Sequence, residues 1–150
     1  MAPRFNLQNV LDIRHSRVES LEIALSELQI KLLRAQEALA TQQERQAALL
    51  VRLSEAQQGD LDLVEINLLH FDILQTDEQV KMAARAVDVA QVEADNKRKE
   101  LIAARQDEET LQILKRKRIE IYNQEQAMIE ARQQDEIYIA QAYRQRMLGA

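Results

Sequence analysis

A chain of 150 residues with 46% hydrophobic but only 3% aromatic side chains, no tryptophan and no cysteine leaves no room for disulfides or thiol chemistry and argues against a compact core. Its net charge of −5 gathers in residues 59–80, where Asp60, Asp62, Glu65, Asp72, Asp77 and Glu78 meet no Lys or Arg, while the flanks nearly cancel. An acidic stretch between balanced arms speaks against nucleic acid and points to a basic partner.

Pro3 is the only proline, and Gly59 is the only glycine before the last two residues. Residues 4–58 and 60–148 therefore each run without a helix breaker, which predicts two long helical stretches joined at Gln58-Gly59-Asp60. The dominance of Ala, Leu, Gln, Glu and Arg is that of a coiled coil. The expected fold is all-α: a long antiparallel two-stranded coiled coil, or helical hairpin, in one domain. Met1–Gln8 has one basic residue and no apolar run, so no signal peptide is expected. No window reaches the roughly 18 apolar residues of a membrane span, so a soluble chain without direct membrane insertion is expected.

The first helix is expected over about 7–57, with Asn6 or Asn9 as its cap. From Leu11 a heptad runs without a skip. Its a positions are Leu11, Val18, Leu25, Leu32, Leu39, Gln46 and Leu53, and its d positions are Arg14, Leu21, Leu28, Ala35, Gln42, Leu49 and Ala56. All but Arg14, Gln42 and Gln46 are apolar, sustained well beyond the three or four heptads that mark a coiled coil. Such a helix is about 75 Å long and cannot bury its stripe alone.

After Gly59, Asp60 is placed to cap a new helix, and Leu61–Leu74 is the most hydrophobic stretch of the chain. Thr76-Asp77-Glu78-Gln79 then reads as a capping box, with Thr76 as N-cap. The reading is a turn and short helix within about 58–76, the helix over 61–74 with a bend at Gln75–Thr76, and a further helix over about 77–147. The alternative is one unbroken helix from 61 onward. Val80, Ala83, Val87, Ala90, Ala94, Leu101, Ala104 and Leu111 keep a heptad whose alanines allow close approach to the first helix. Beyond Leu111 the stripe decays through Lys115, Arg118, Glu125 and Arg132. Counting back from the turn, the first helix runs out near residue 120–127. Ile119, Tyr122, Ile129, Ile137, Tyr138 and Tyr143 are then left without intramolecular cover.

Candidate chemistry is sparse. His15 and His70 are too far apart for metal-ligand spacing, and Ser16, Ser20, Ser26 and Ser54 have no base in a nucleophile pattern. The two glycines, Gly59 and Gly149, stand alone and build no glycine-rich phosphate loop. The carboxylates sit where solvated i,i+4 pairing is their ordinary use. No enzyme activity, metal or cofactor is expected. The basic runs Lys97-Arg98-Lys99 and Lys115-Arg116-Lys117-Arg118 are interleaved with acids that cancel their field, so they read as solvated faces. Lys115–Arg118 is also placed to dock a protein, since it lies where the seam weakens.

Three places resemble the flagellar export protein FliJ family and its counterparts in virulence type III secretion. The opening Arg4-Phe5-Asn6-Leu7-Gln8-Asn9-Val10-Leu11-Asp12-Ile13-Arg14 is similar to that family's start. Leu114-Lys115-Arg116-Lys117-Arg118 followed by Tyr122, Glu125 and Glu130 resembles its basic–tyrosine–acidic stretch, and Gln134-Asp135-Glu136 its terminal acidic element. The resemblance implies a cytoplasmic, non-enzymatic stalk of the export apparatus, peripherally associated with the inner membrane. Its terminus-bearing end would insert into a hexameric export ATPase and promote its assembly. The rest would contact the cytoplasmic domain of the export gate and export chaperones. The ATPase contacts it implies here are Phe5, Leu7, Leu11, Arg14, Tyr122, Ile129, Arg132, Asp135, Glu136 and Tyr138. Leu68, Phe71 and Leu74, an apolar patch beside the acidic turn, are the expected gate and chaperone contacts. The alternatives are a generic coiled-coil scaffold and a stalk subunit of a vacuolar-type rotary ATPase. A hairpin predicts a monomer with intramolecular pairing, whereas a scaffold dimer predicts concentration-dependent helicity.

Overall fold

The computed structural model describes residues 4–149. It is an all-α helical hairpin of α1 (Gln8–Ala56) and α2 (Leu63–Leu148), packed against each other, with no strand among the described residues. The helices divide into two units. One is Val18–Ala103, and the other joins the segment ending at Arg17 to the segment beginning at Ala104.

In the first unit the chain turns over residues 57–62. The last turn of α1 tightens, as the Gln58 amide donates to the Glu55 carbonyl oxygen at 3.1 Å. Gly59 then takes φ +82 with no atom near its missing Cβ. Glycine is needed there for its backbone freedom, not for space. Asp62, not Asp60, caps α2: its Oδ1 accepts from the Val64 amide at 3.0 Å and the Glu65 amide at 3.4 Å. The two intervening residues let the chain reverse before the second helix begins.

The expected short helix over 61–74 and bend at Gln75–Thr76 do not occur, because α2 is continuous from Leu63. Two facts explain the continuity. Ile66, Leu69, Ile73, Thr76 and Val80 are all buried or half-buried, and their alternating spacing of three and four carries one heptad through the proposed break. Thr76 is among them at 2% exposed, and its hydroxyl donates to the Asp72 carbonyl oxygen at 2.8 Å instead of capping a new helix. A threonine whose hydroxyl is satisfied one turn back needs no helix end.

Every one of the fourteen a and d positions of α1 is buried or half-buried, joined in that helix only by Gln8 and Ala24. On α2 the seam includes Ala90, Leu101 and the fully buried Ala94. Each buried leucine contributes roughly 2 kcal/mol, while the alanines let the backbones close. The pairing is antiparallel: Lys31 Nζ reaches Glu93 Oε2 at 3.2 Å, and further along α1 Gln46 Nε2 donates to Asp77 Oδ1 at 3.3 Å. At the other end of α1, Asn9 lies inside the helix and is not its cap. The chain enters instead through a backbone turn, with the Gln8 amide donating to the Phe5 carbonyl oxygen at 3.0 Å.

Candidate partner-binding surfaces

In the unit holding both ends of the chain the two helices are again in contact. Arg14 Nη1 donates to the Asp107 carbonyl oxygen at 2.9 Å, and His15 Nδ1 lies 2.6 Å from Glu108 Oε1. An ionised carboxylate only accepts, so Nδ1 carries the proton in this contact. Glu108 occupies a seam position and its side chain is only 12% exposed; His15 and Gln112, whose Nε2 donates to the same Oε1 at 3.2 Å, together satisfy this largely buried carboxylate. The expected ATPase contacts divide on this geometry. Leu11 is buried in the seam and Arg14 is committed to a backbone carbonyl. Both are engaged between α1 and α2.

Phe5 is half-buried and lines a cleft of about 550 Å³ with Arg4, Asn6, Lys115, Arg118 and Ile119. The basic run singled out at Lys115–Arg118 thus meets the N-terminal phenylalanine. Arg4, Lys115 and Arg118 line it and no acidic residue does, so the cleft is cationic, and it is open on one side. Leu7 is exposed beside it. In the other basic run Lys97 Nζ contacts Glu100 Oε2 at 3.1 Å and Arg98 Nη1 contacts Asp95 Oδ1 at 3.2 Å.

Tyr122 is the last half-buried residue of α2. From Asn123 to Gly149 every residue is exposed, although the helix continues to Leu148. At about 100° per residue, Ile129, Arg132 and Glu136 extend the seam face. Ile139 and Tyr143, absent from the expected contacts, share that face. Tyr138 lies nine residues beyond Ile129, on the opposite side, and Asp135 flanks the stripe. The signal for Ile139 and Tyr143 was available in the same alternation of threes and fours, carried past the charged residues that interrupt it.

In the other unit Leu68, Phe71 and Leu74 are all exposed, at 60%, 58% and 67%. Leu68 and Phe71 lie one turn apart, and Val64 one turn earlier continues their row, also exposed. A shallow groove runs from Phe71 and Leu74 along Gln75 and Glu78. The patch faces away from the seam residues Leu69, Ile73 and Thr76, so α1 leaves it uncovered. No group of three or more His, Asp or Glu among the described residues could hold a metal ion, and none of the described helices is long and apolar enough to cross a membrane.

The family described as flagellar FliJ protein matches residues 3–147, nearly the whole chain. The chain belongs to the FliJ family. Its members are components of the flagellar export apparatus, and the opening Phe5 segment, the basic run and the overhanging end of α2 all fall inside the matched range. No curated protein and no solved structure matches the chain.

Proposed function

We propose that this FliJ-family chain is a non-enzymatic stalk whose terminus-bearing unit inserts into the hexameric export ATPase and promotes its assembly. The observation that carries the reading is the overhang: α2 stays helical from Asn123 to Leu148 with its apolar residues exposed. Isolated helices gain most of their stability from packing, so a face of this kind is suited to a surrounding protein surface. The cationic cleft around Phe5 gives the same unit a second contact for acidic loops of a ring. The uncovered Leu68, Phe71 and Leu74 patch is the contact for the export gate and chaperones, and the chain works in the cytoplasm beside the membrane-bound machinery.

The test is ATP hydrolysis and hexamer formation by the export ATPase of the same organism, with the full chain and with a chain ending at Gln126. Full-length protein is expected to stimulate both and the truncation to lose the effect. The truncation keeps every buried seam residue, so its hairpin is expected to retain its cooperative melting. No stimulation by the full chain at saturation contradicts ring insertion. For the second surface, Phe71→Asp is expected to abolish binding to the gate's cytoplasmic domain while leaving ATPase stimulation intact; undiminished gate binding contradicts the assignment.

A further inference from the structure

The overhang is self-complementary. Its seam positions are Tyr122, Glu125, Ile129, Arg132, Glu136, Ile139, Tyr143 and Arg146, obtained by continuing the alternation that buries Ala104, Leu111 and their neighbours. We propose that this stretch pairs antiparallel with the same stretch of a second copy, forming a homodimer through α2 outside the hairpin. The proposal stands on the chain alone and does not depend on the ATPase reading.

The register follows from charge and size. In an antiparallel coiled coil an a residue of one helix packs against a d residue of the other. One alignment sets Ile129 against Ile139, Arg132 against Glu136, Glu125 against Tyr143 and Tyr122 against Arg146, and two-fold symmetry repeats each pair. Every pair is compatible: apolar on apolar, cation on anion, carboxylate on phenol, guanidinium on ring. Sliding by one heptad sets Glu125 against Glu136 and Ile129 against Arg132. Sliding the other way sets Ile129 against Arg146. A parallel pairing opposes every charged residue with its own copy. Sliding two heptads leaves at most four seam positions of each helix overlapped, so the first alignment is the one that pairs all eight compatibly.

The flanking positions agree. Ile119 meets Met147 of the second copy, and Met128 meets Ala142. Asp135 meets its own copy at the axis, where the like charges are moderated by Arg132 one turn away on each helix. Among the described residues neither Arg132 nor Glu136 is in an ion pair within its own chain. Ile119 also borders the Phe5 cleft, so the intermolecular seam begins where the intramolecular one ends.

The experiment is sedimentation velocity of the full chain over the micromolar range. A monomer–dimer equilibrium is expected. Arg132→Glu and Glu136→Arg each place like charges across the axis twice and are expected to weaken dimerisation about tenfold or more. The Arg132→Glu, Glu136→Arg double variant restores antiparallel complementarity and is expected to regain the wild-type equilibrium, which a parallel dimer would not permit, while unchanged helicity of the dilute single variants excludes a folding defect. Because the chain has no cysteine, mixing Ile129→Cys with Ile139→Cys is expected to yield a disulfide-linked heterodimer, with neither variant linking to itself. A strictly monomeric wild type, a double variant no better than the singles, or Ile129→Cys linking to itself overturns the proposal.

Discussion

Two stretches of one helix carry the same heptad and have opposite fates. From Ile66 to Leu111 every seam position of α2 is buried or half-buried; from Asn123 to Leu148 none is. The first stretch is mostly aliphatic, with Lys97 and Glu108 as its charged seam residues, and is matched by α1. The second places Glu125, Arg132, Glu136 and Arg146 among its isoleucines and tyrosines and extends beyond the point where α1 ends. Charged residues at a and d weaken a permanent interface but select the partner and its register. The difference is between a seam built to stay closed and one built to open and close.

Equivalent substitutions in the two stretches should therefore give unequal effects in urea titrations of the dilute chain followed by circular dichroism. The largest contrast is a buried charge. Ala94→Glu, at a position with no exposure, is expected to cost about 3 kcal/mol or more, while Tyr143→Glu at an exposed seam position stays within about 0.5 kcal/mol. Next is truncation: Leu69→Ala should cost about 2–4 kcal/mol, against about 0.5 kcal/mol for Ile139→Ala. Equal losses at the paired positions would remove the distinction. At the turn, Gly59→Ala is expected to cost about 1–2 kcal/mol through its left-handed φ, and Asp62→Ala about 1 kcal/mol through the lost cap.

The smallest effect is electrostatic. The Asp77 hydrogen bond, then its charge and that of Glu78, raise the pKa of Lys81 above its ordinary 10.5. A raised folded value gives stability that is present below the unfolded pKa and lost as pH rises through the folded one. Any contribution thus disappears above about pH 10.5. Lys81 is exposed, so Lys81→Ala should shift the thermal midpoint least of all these changes.

Much of the fold was legible because one physical rule dominates it. With no competing core, the alternation of three and four residues alone decides burial, and counting from Leu11 located every a and d position of α1. The bend at Gln75–Thr76 misled because Thr76-Asp77-Glu78-Gln79 satisfies a local capping pattern. The seam through Ile73, Thr76 and Val80 holds its phase across that point, and burial there outweighs a cap. Asp60 and Asn9 were misplaced as caps for a related reason: short polar residues near a helix start are interchangeable until the backbone fixes the first turn. The surfaces were less legible. Leu11 is already the first a position of the heptad, yet the resemblance also assigns it to a partner, and Tyr138 lies across the helix from Ile129. The meeting of Phe5 with Arg118 depends on register between distant segments, which composition does not carry.

The most direct test of the two-stretch account is amide hydrogen exchange along α2 in dilute solution. The account predicts strong protection from Ile66 to Tyr122 and exchange faster by orders of magnitude from Asn123 to Leu148, with protection spreading into the second stretch as concentration rises. Uniform protection across the whole helix in the dilute chain would contradict it.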